Sequence, residues 1–206
     1  DFDGDGDLDL YLVNLGANRL LRNDGKGSFV DITEDAGVGD VGWGMSAAFL
    51  DYDRDGDPDL FLVNYVDFAV ERNVDCFIGG QLAYCSPLAY KTVPNVLYRN
   101  DGAGRFRDGS KESGVGAHAG KGLGISLADF DADGFVDVYI ANDAHANFLF
   151  HNQQDGTFVE VGLESGTAFN DAGVAEAGMG TDFSDLNGDG RPDILVTNLD
   201  DELNDV

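Results

Sequence analysis

The sequence predicts an all-β protein, a β-propeller built of four-stranded blades. One acidic motif occurs four times, and a hairpin motif recurs three times between its copies. The 206 residues include 29 glycines but only 4 prolines, a composition that fits many tight turns between short strands. The fold prediction therefore depends on the repeated elements.

The acidic motif has the form D-x-[DN]-x-D-G-x-x-D. It reads DFDGDGDLD at 1–9, DYDRDGDPD at 51–59, DFDADGFVD at 129–137 and DLNGDGRPD at 185–193. A short apolar run follows each copy and ends in an asparagine, at Asn14, Asn64, Asn142 and Asn198. Runs such as LYLV and LFLV are apolar on both faces, as expected for inner strands that neighbouring blades cover.

Two further blocks complete the repeat. Strand–turn–strand patterns occur as NRLLRNDGKGSF from Asn18, NVLYRNDGAGRF from Asn95 and NFLFHNQQDGTF from Asn147. The segments that lead into the later acidic motifs, such as GMSAAFLD, alternate apolar and small residues as a strand with one apolar face does. Each unit thus supplies about four strands in roughly 50 residues, the dimension of a propeller blade.

The repeat units cover about 1–50, 51–128, 129–184 and 185–206, which makes three full units and part of a fourth. We expect the chain to be an incomplete portion of a propeller whose further blades come from the same parent chain. The second unit carries an insertion at 66–94 that contains Cys76 and Cys85. These cysteines could form a disulfide in an oxidising compartment or remain two free thiols.

The acidic loops predict calcium sites. Carboxylates at positions one, three and five converge when the backbone curls around the glycine at position six, and an all-oxygen shell suits Ca²⁺. Position seven varies, so it is predicted to contribute its backbone carbonyl. The side-chain ligands are Asp1, Asp3, Asp5 and Asp9; Asp51, Asp53, Asp55 and Asp59; Asp129, Asp131, Asp133 and Asp137; and Asp185, Asn187, Asp189 and Asp193. The carbonyl ligands are those of Asp7, Asp57, Phe135 and Arg191.

Up to four Ca²⁺ ions are therefore predicted, one per loop. Because the site repeats once per blade, we expect a structural rather than a catalytic metal. The EF-hand arrangement is excluded, since position twelve of each loop is apolar and lies in the following strand.

Charge and motif content exclude several function classes. The chain has 39 acidic and 12 basic residues, a net charge of −27, which repels nucleic acid and anionic membrane surfaces. We expect no nucleic-acid partner and no membrane insertion. G-x-S-x-G and H-E-x-x-H are both absent from the sequence, and His118, His145 and His151 fall in different parts of their units. No catalytic residue is predicted.

The motifs together resemble those of FG-GAP-like or VCBS-type repeat proteins, which are related to the calcium-binding blades of integrin α-subunits. The combination of the acidic loop, the apolar strand ending in V-N and N-x-L-x-R-N-D-G-x-G-x-F looks most like the cartilage acidic protein and ASPIC/UnbV group. The resemblance implies a propeller, often seven-bladed, in secreted or surface proteins, with Ca²⁺ held by the loop residues. Asn187 departs from the aspartate of the other loops but keeps an oxygen ligand.

The function expected from these features is a calcium-rigidified scaffold that binds a protein or a glycan. The aromatic-rich insertion at 66–94 is the predicted contact surface, although it could instead be a cap over a neighbouring blade. We expect an extracellular, cell-surface or periplasmic location. The alternative is the propeller domain of a calcium-dependent carbohydrate-active enzyme, a lyase or hydrolase.

Overall fold

The computed structural model describes residues 1–102, 104–199, 202 and 204. The predicted fourth unit, 185–206, is therefore described to Leu199 and then only at Glu202 and Asn204. The strands are β1 (Leu10–Leu12), β2 (Arg19–Asn23), β3 (Phe29–Asp31), β4 (Gly44–Leu50), β5 (Asp59–Asn64), β6 (Cys76–Ile78), β7 (Gln81–Ala83), β8 (Val93–Pro94), β9 (Val96–Asn100), β10 (Phe106–Asp108), β11 (Ala119–Gly120), β12 (Gly122–Ala128), β13 (Asp137–Asn142), β14 (Phe148–Asn152), β15 (Phe158–Glu160), β16 (Gly178–Ser184) and β17 (Asp193–Asn198).

Helical structure is confined to short turns. The two α-helical segments are α1 (Thr33–Ala36) and α2 (Gly162–Ser165), and 3-10 turns cover Val70–Arg72, Pro87–Ala89 and Val115–Ala117. None of the helices in the described ranges has the length and apolar composition needed to cross a bilayer.

The strands form a series of antiparallel sheets. Strands β1, β2 and β3 make a three-stranded sheet, and two four-stranded sheets follow in the orders β4-β5-β9-β10 and β12-β13-β14-β15. Strands β16 and β17 pair as the next sheet, while β6–β7 and β8–β11 are small two-stranded additions. The predicted all-β fold of four-stranded blades is confirmed.

Each blade begins one strand before its acidic loop. Leu50 at the end of β4 pairs with Asp59 at the start of β5, and Ala128 pairs with Asp137 in the same way in the next sheet. The acidic loop is therefore the connection between the first two strands of one sheet. The repeat units were counted from the acidic motif, so the sheets that begin with β4, β12 and β16 each take their first strand from the end of the preceding unit.

Strand β5 shows how adjacent blades share a core. All six of its residues are buried, and alternate side chains point to opposite faces. Leu60 and Leu62 pack in a cluster with Leu20 of the first sheet, whereas Phe61 and Val63 belong to a cluster with residues of β13 and β14. Strand β13 is likewise buried throughout, which explains the near-continuous apolar runs in both sequences.

A glycine at the start of the first strand lets each blade approach the previous one. A methyl group at Gly44 would overlap the side chain of Val13, and one at Gly122 would overlap Val63. At the corresponding Gly178, the Cβ of Ala141 lies 3.3 Å from the position of an added methyl. In all three joints the partner directly precedes the asparagine that ends the apolar run after the acidic loop, so the contact is part of the repeat.

The insertion is a disulfide-closed hairpin on a paired stem. Cys76 and Cys85 are bonded, with their Cα atoms 5.2 Å apart. The stem begins where Val66 bridges Thr92 and where the backbone N–H of Asp67 donates to the Lys91 carbonyl at 3.0 Å. Beyond the stem most side chains are exposed, so the insertion contributes little to the blade core.

We predict that Gly122→Ala destabilises the protein by about 1–3 kcal/mol, because the added methyl overpacks the joint with Val63. The matched control is Gly109→Ala, whose methyl would meet its nearest neighbours, the Leu97 carbonyl and the Arg99 Cβ, at 3.6 and 3.7 Å. It should change the free energy of unfolding by less than about 0.5 kcal/mol. Urea unfolding measures both, and equal midpoints for the two variants would contradict the role of the joint.

Candidate metal-binding loops

The four acidic loops share one backbone conformation. The glycine at position six has a positive φ in every copy, between 86° and 94°, a region that favours glycine. Its N–H donates to the aspartate at position one in all four loops. The N···O distances are 3.2 Å for Gly6–Asp1, 3.2 Å for Gly56–Asp51, 2.8 Å for Gly134–Asp129 and 2.9 Å for Gly190–Asp185.

Two more hydrogen bonds repeat inside each loop. The side chain at position three accepts the N–H of position five, and the side chain at position five accepts the N–H of position seven. In the second loop these are Asp53 with the N–H of Asp55 at 3.3 Å and Asp55 with the N–H of Asp57 at 3.0 Å. These bonds turn the alternate side chains towards the inside of the curl. The ligand role predicted for the position-seven carbonyls stays a prediction.

The curl brings potential ligand atoms together. In four groups of three residues, the ligand atoms lie within 4.8 Å of one another. The groups are Asp1, Asp3 and Asp5; Asp51, Asp53 and Asp59; Asp129, Asp131 and Asp137; and Asp131, Asp133 and His151. The first three consist only of residues that the sequence predicts as ligands, whereas His151 enters from a neighbouring hairpin.

The aspartate at position nine is buried and also holds the backbone. Asp59 accepts the N–H of Tyr52 at 3.3 Å and that of Asn100 at 2.8 Å. Asp137 accepts the corresponding N–H groups of Phe130 and Asn152 at 3.1 and 2.8 Å. Each carboxylate therefore ties the start of its own loop to the hairpin that follows.

Burial changes the acidity of both carboxylates. It raises the pKa of Asp59 to about 7 and that of Asp137 to about 6, because removal from water disfavours the charged form. A cation within the curl offsets that cost. An all-oxygen donor set with a buried carboxylate therefore fits a hard divalent cation.

The hairpin asparagines Asn100 and Asn152 are structural residues that the sequence reasoning missed. The side-chain Nδ2 of Asn152 donates to the carbonyl of Val136 in the acidic loop of its own blade at 3.2 Å and to that of Tyr52 in the acidic loop of the preceding blade at 2.8 Å. Asn100 makes the same pair of contacts with Pro58 and Phe2, at 3.0 and 3.4 Å. The asparagine recurs at one place in all three hairpin blocks, a repetition that could have indicated its role.

Nitrogen-bearing side chains from the same hairpins also reach the loops. In the second blade, Arg99 Nη2 lies 2.9 Å from Asp53 Oδ2 and 3.3 Å from Asp55 Oδ2. In the third blade His151 takes the place of the arginine, and its Nε2 lies 3.0 Å from Asp131 Oδ2. This residue before the hairpin asparagine therefore contacts the acidic loop of its own blade.

The fourth loop is more exposed than the others. Asp193 accepts the N–H of Leu186 at 2.9 Å, as its counterparts do. The Nδ2 of Asn187 lies 3.4 Å from Asp193 Oδ1, so the residue that replaces an aspartate here contacts the carboxylate at position nine.

The other two histidines lie away from the loops. His118 makes edge contacts with the rings of Phe148 and Phe150. His145 Nδ1 lies 3.2 Å from the carbonyl of Ala146, while the nearby Asp143 accepts a hydrogen bond from the Tyr65 hydroxyl. Their surroundings are those of packing and backbone contacts.

Successive antiparallel sheets, with an acidic loop before β1 and between the first two strands of the three sheets that follow, define a repeat protein of propeller-type blades. The sequence matches the model of the FG-GAP-like repeat over residues 1–62, 75–140 and 129–196, and the chain belongs to that family.

Curated relatives share a smaller region. Human cartilage acidic protein 1 is 32% identical over 124 residues, which cover 56% of this chain and 18% of the human protein. The Xenopus tropicalis protein of the same name is 36% identical over 87 residues, 42% of this chain and 13% of that protein. The chain thus matches less than a fifth of the length of either relative.

One solved structure overlaps most of the chain. It describes an Agrocybe aegerita lectin that recognises non-reducing terminal N-acetylglucosamine. It is 20% identical, covers 95% of this chain and 45% of the lectin chain, and has a TM-score of 0.46. An overlap this weak supports no argument about ligand or function.

We predict that Asn152→Ala destabilises the protein by about 1–3 kcal/mol, because it leaves carbonyls in the acidic loops of two adjacent blades, one buried and one partly buried, without their donor. Gln153→Ala, one residue further on, removes an exposed side chain and serves as the control. Thermal unfolding of the two variants should separate them clearly. If Asn152→Ala melts with the control, the link between sheets contributes nothing to stability.

Proposed function

We propose that the protein is an extracellular calcium-binding repeat scaffold in which Ca²⁺ stabilises the loops between strands. The observation that carries the proposal is the recurrence of one oxygen-lined loop, with the same internal hydrogen bonds, in successive sheets. Ca²⁺ fits this arrangement best, since Mg²⁺ needs a stricter octahedron and softer metals favour nitrogen or sulfur ligands.

The residues of each loop have separate roles in this proposal. The aspartates at positions one, three and five bind the ion within the curl, and bound Ca²⁺ supplies the positive charge that offsets their mutual repulsion. The aspartate at position nine connects the ion to the rest of the blade. Asp137, for example, also holds the backbone N–H of Asn152, whose side chain reaches the preceding sheet. Ordering a loop therefore also orders a contact between blades.

The insertion at 66–94 is the proposed contact surface for a protein or glycan partner. Together with Trp43 and Tyr65, the insertion lines an open cavity of about 940 Å³, to which it contributes the aromatic side chains Phe68 and Tyr90. Ile78, Leu82 and Tyr84 also line it and are exposed, and Phe77 is a further exposed aromatic side chain of the insertion. Exposed apolar side chains held by a disulfide are typical of an interaction surface.

Two observations support an extracellular location. The disulfide between Cys76 and Cys85 fits an oxidising compartment. The curated relatives are named for cartilage, a tissue rich in extracellular matrix. A scaffold rather than an enzyme is proposed because the acidic site recurs in successive blades, whereas a catalytic metal centre normally occurs once.

Calcium removal tests the scaffold proposal. Saturating Ca²⁺ should raise the melting temperature and EDTA should lower it. Free Ca²⁺ at 100 times the Kd of one site stabilises the folded protein by about 2.7 kcal/mol. Asp129→Asn should lower the number of Ca²⁺ ions bound in calorimetry. Asp155→Asn, in an exposed hairpin turn, should not. If EDTA leaves both the melting temperature and the compactness of the protein unchanged, the proposal is wrong.

A trimmed insertion tests the contact surface. Replacing residues 68–90 by a two-residue turn keeps the stem in which Asp67 pairs with Lys91. The trimmed protein should retain its calcium-dependent melting but lose a partner found with the intact protein by pull-down or on a glycan array. Retention of that partner would place the contact surface elsewhere and favour the alternative that the insertion only caps a blade.

A further inference from the structure

We propose that the third acidic loop is also a site for a borderline divalent cation of the Zn²⁺ class, bound by Asp131, Asp133 and His151. This inference deepens the proposed function and rests on it, because the same loop would bind two kinds of cation. It is carried by a difference between the three hairpins rather than by the acidic residues alone.

The residue that precedes the hairpin asparagine decides which ligands are available. It is Arg22 in the first blade, Arg99 in the second and His151 in the third. A guanidinium can neutralise carboxylates, as Arg99 does with Asp53 and Asp55, but it has no lone pair to offer a metal. A neutral imidazole has one, and nitrogen ligands move metal preference from Ca²⁺ towards Zn²⁺.

A second difference at the same hairpin holds the carboxylate in place. Gln154 stands where the first two hairpins have Gly25 and Gly102. Its Nε2 donates to Asp133 Oδ2 at 2.8 Å, and the N–H of Phe135 donates to Asp133 Oδ1 at 2.8 Å. Hydrogen bonds of this kind orient a metal-binding carboxylate.

The imidazole is also positioned for a metal. The ring of Phe130 lies 5.1 Å from the ring of His151, centroid to centroid. The side chains of His151 and Asp131 remain 29% and 35% exposed, which leaves room for water to complete the shell. Tetrahedral Zn²⁺ with bonds near 2.0–2.1 Å separates its ligands by about 3.3 Å. The ligand atoms of the group, all within 4.8 Å of one another, approach that arrangement.

The two sites overlap in this loop. Asp131 belongs both to the all-oxygen group with Asp129 and Asp137 and to the group with His151. Asp133, at position five, is likewise a proposed Ca²⁺ ligand, so the two cations would compete for the carboxylates of Asp131 and Asp133. Of the three complete hairpin blocks, this competition is specific to the third, because the other two present arginine.

The test is a Zn²⁺ titration of the purified protein, observed through the ¹H–¹⁵N signals of its three histidine side chains. The His151 ring should respond first, and His118 and His145 should remain unchanged. His151→Arg copies the second hairpin and should fold, yet it should weaken Zn²⁺ binding by about tenfold or more. His145→Gln is the control and should bind as the parent does.

Three results would overturn the inference. Zn²⁺ could perturb the other histidines equally, or His151→Arg could retain the parent affinity. The His151 signals could also respond to pH alone, which would leave only a surface ion pair with Asp131. Counting Ca²⁺ sites in His151→Arg separates the two proposals. The number of bound Ca²⁺ ions should equal that of the parent. Loss of the Zn²⁺ response alone therefore leaves the calcium proposal intact. Absence of Ca²⁺ binding in both proteins rejects only the calcium proposal.

Discussion

The buried aspartate at position nine is the interaction on which the rest of the blade depends. Asp59 and Asp137 each lie out of water and accept two backbone N–H groups, one from the loop and one from the next hairpin. Burying a carboxylate is costly unless hydrogen bonds and positive charge compensate it. The acidic loop therefore has two linked roles, since it supplies the oxygens that a cation needs and places one of them where it joins two strands.

The blades are stabilised as a series rather than around one centre. Alternate residues of β5 enter the cores on its two sides, and the glycine joints allow those cores to form at short range. Adjacent blades also pack together at the end where the acidic loops lie. Phe2 and Tyr52, at position two of their loops, pack on Phe106 and Phe158 of the next sheet. Each sheet consequently depends on its neighbours, as in other repeat proteins.

The sequence was sufficient to predict the strands, the hairpins and the groups of aspartates that lie together in the first three loops, because all of these relations are local and repeat. It was insufficient for contacts between blades. Asn152 and Tyr52 are 100 residues apart, and neither residue type indicates its partner. The contact of His151 with Asp131 was missed for a similar reason, since it depends on which face of the hairpin turns towards the loop.

The paired stem of the insertion has an evolutionary consequence. Because Val66 bridges Thr92, the two ends of the excursion are held side by side whatever lies between them. The entropy of closing such a loop grows only slowly with its length. The intervening segment can therefore lengthen, shorten or be replaced while the blade that carries it keeps its register. The second blade is thus a place where the sequence can diverge at small cost to folding.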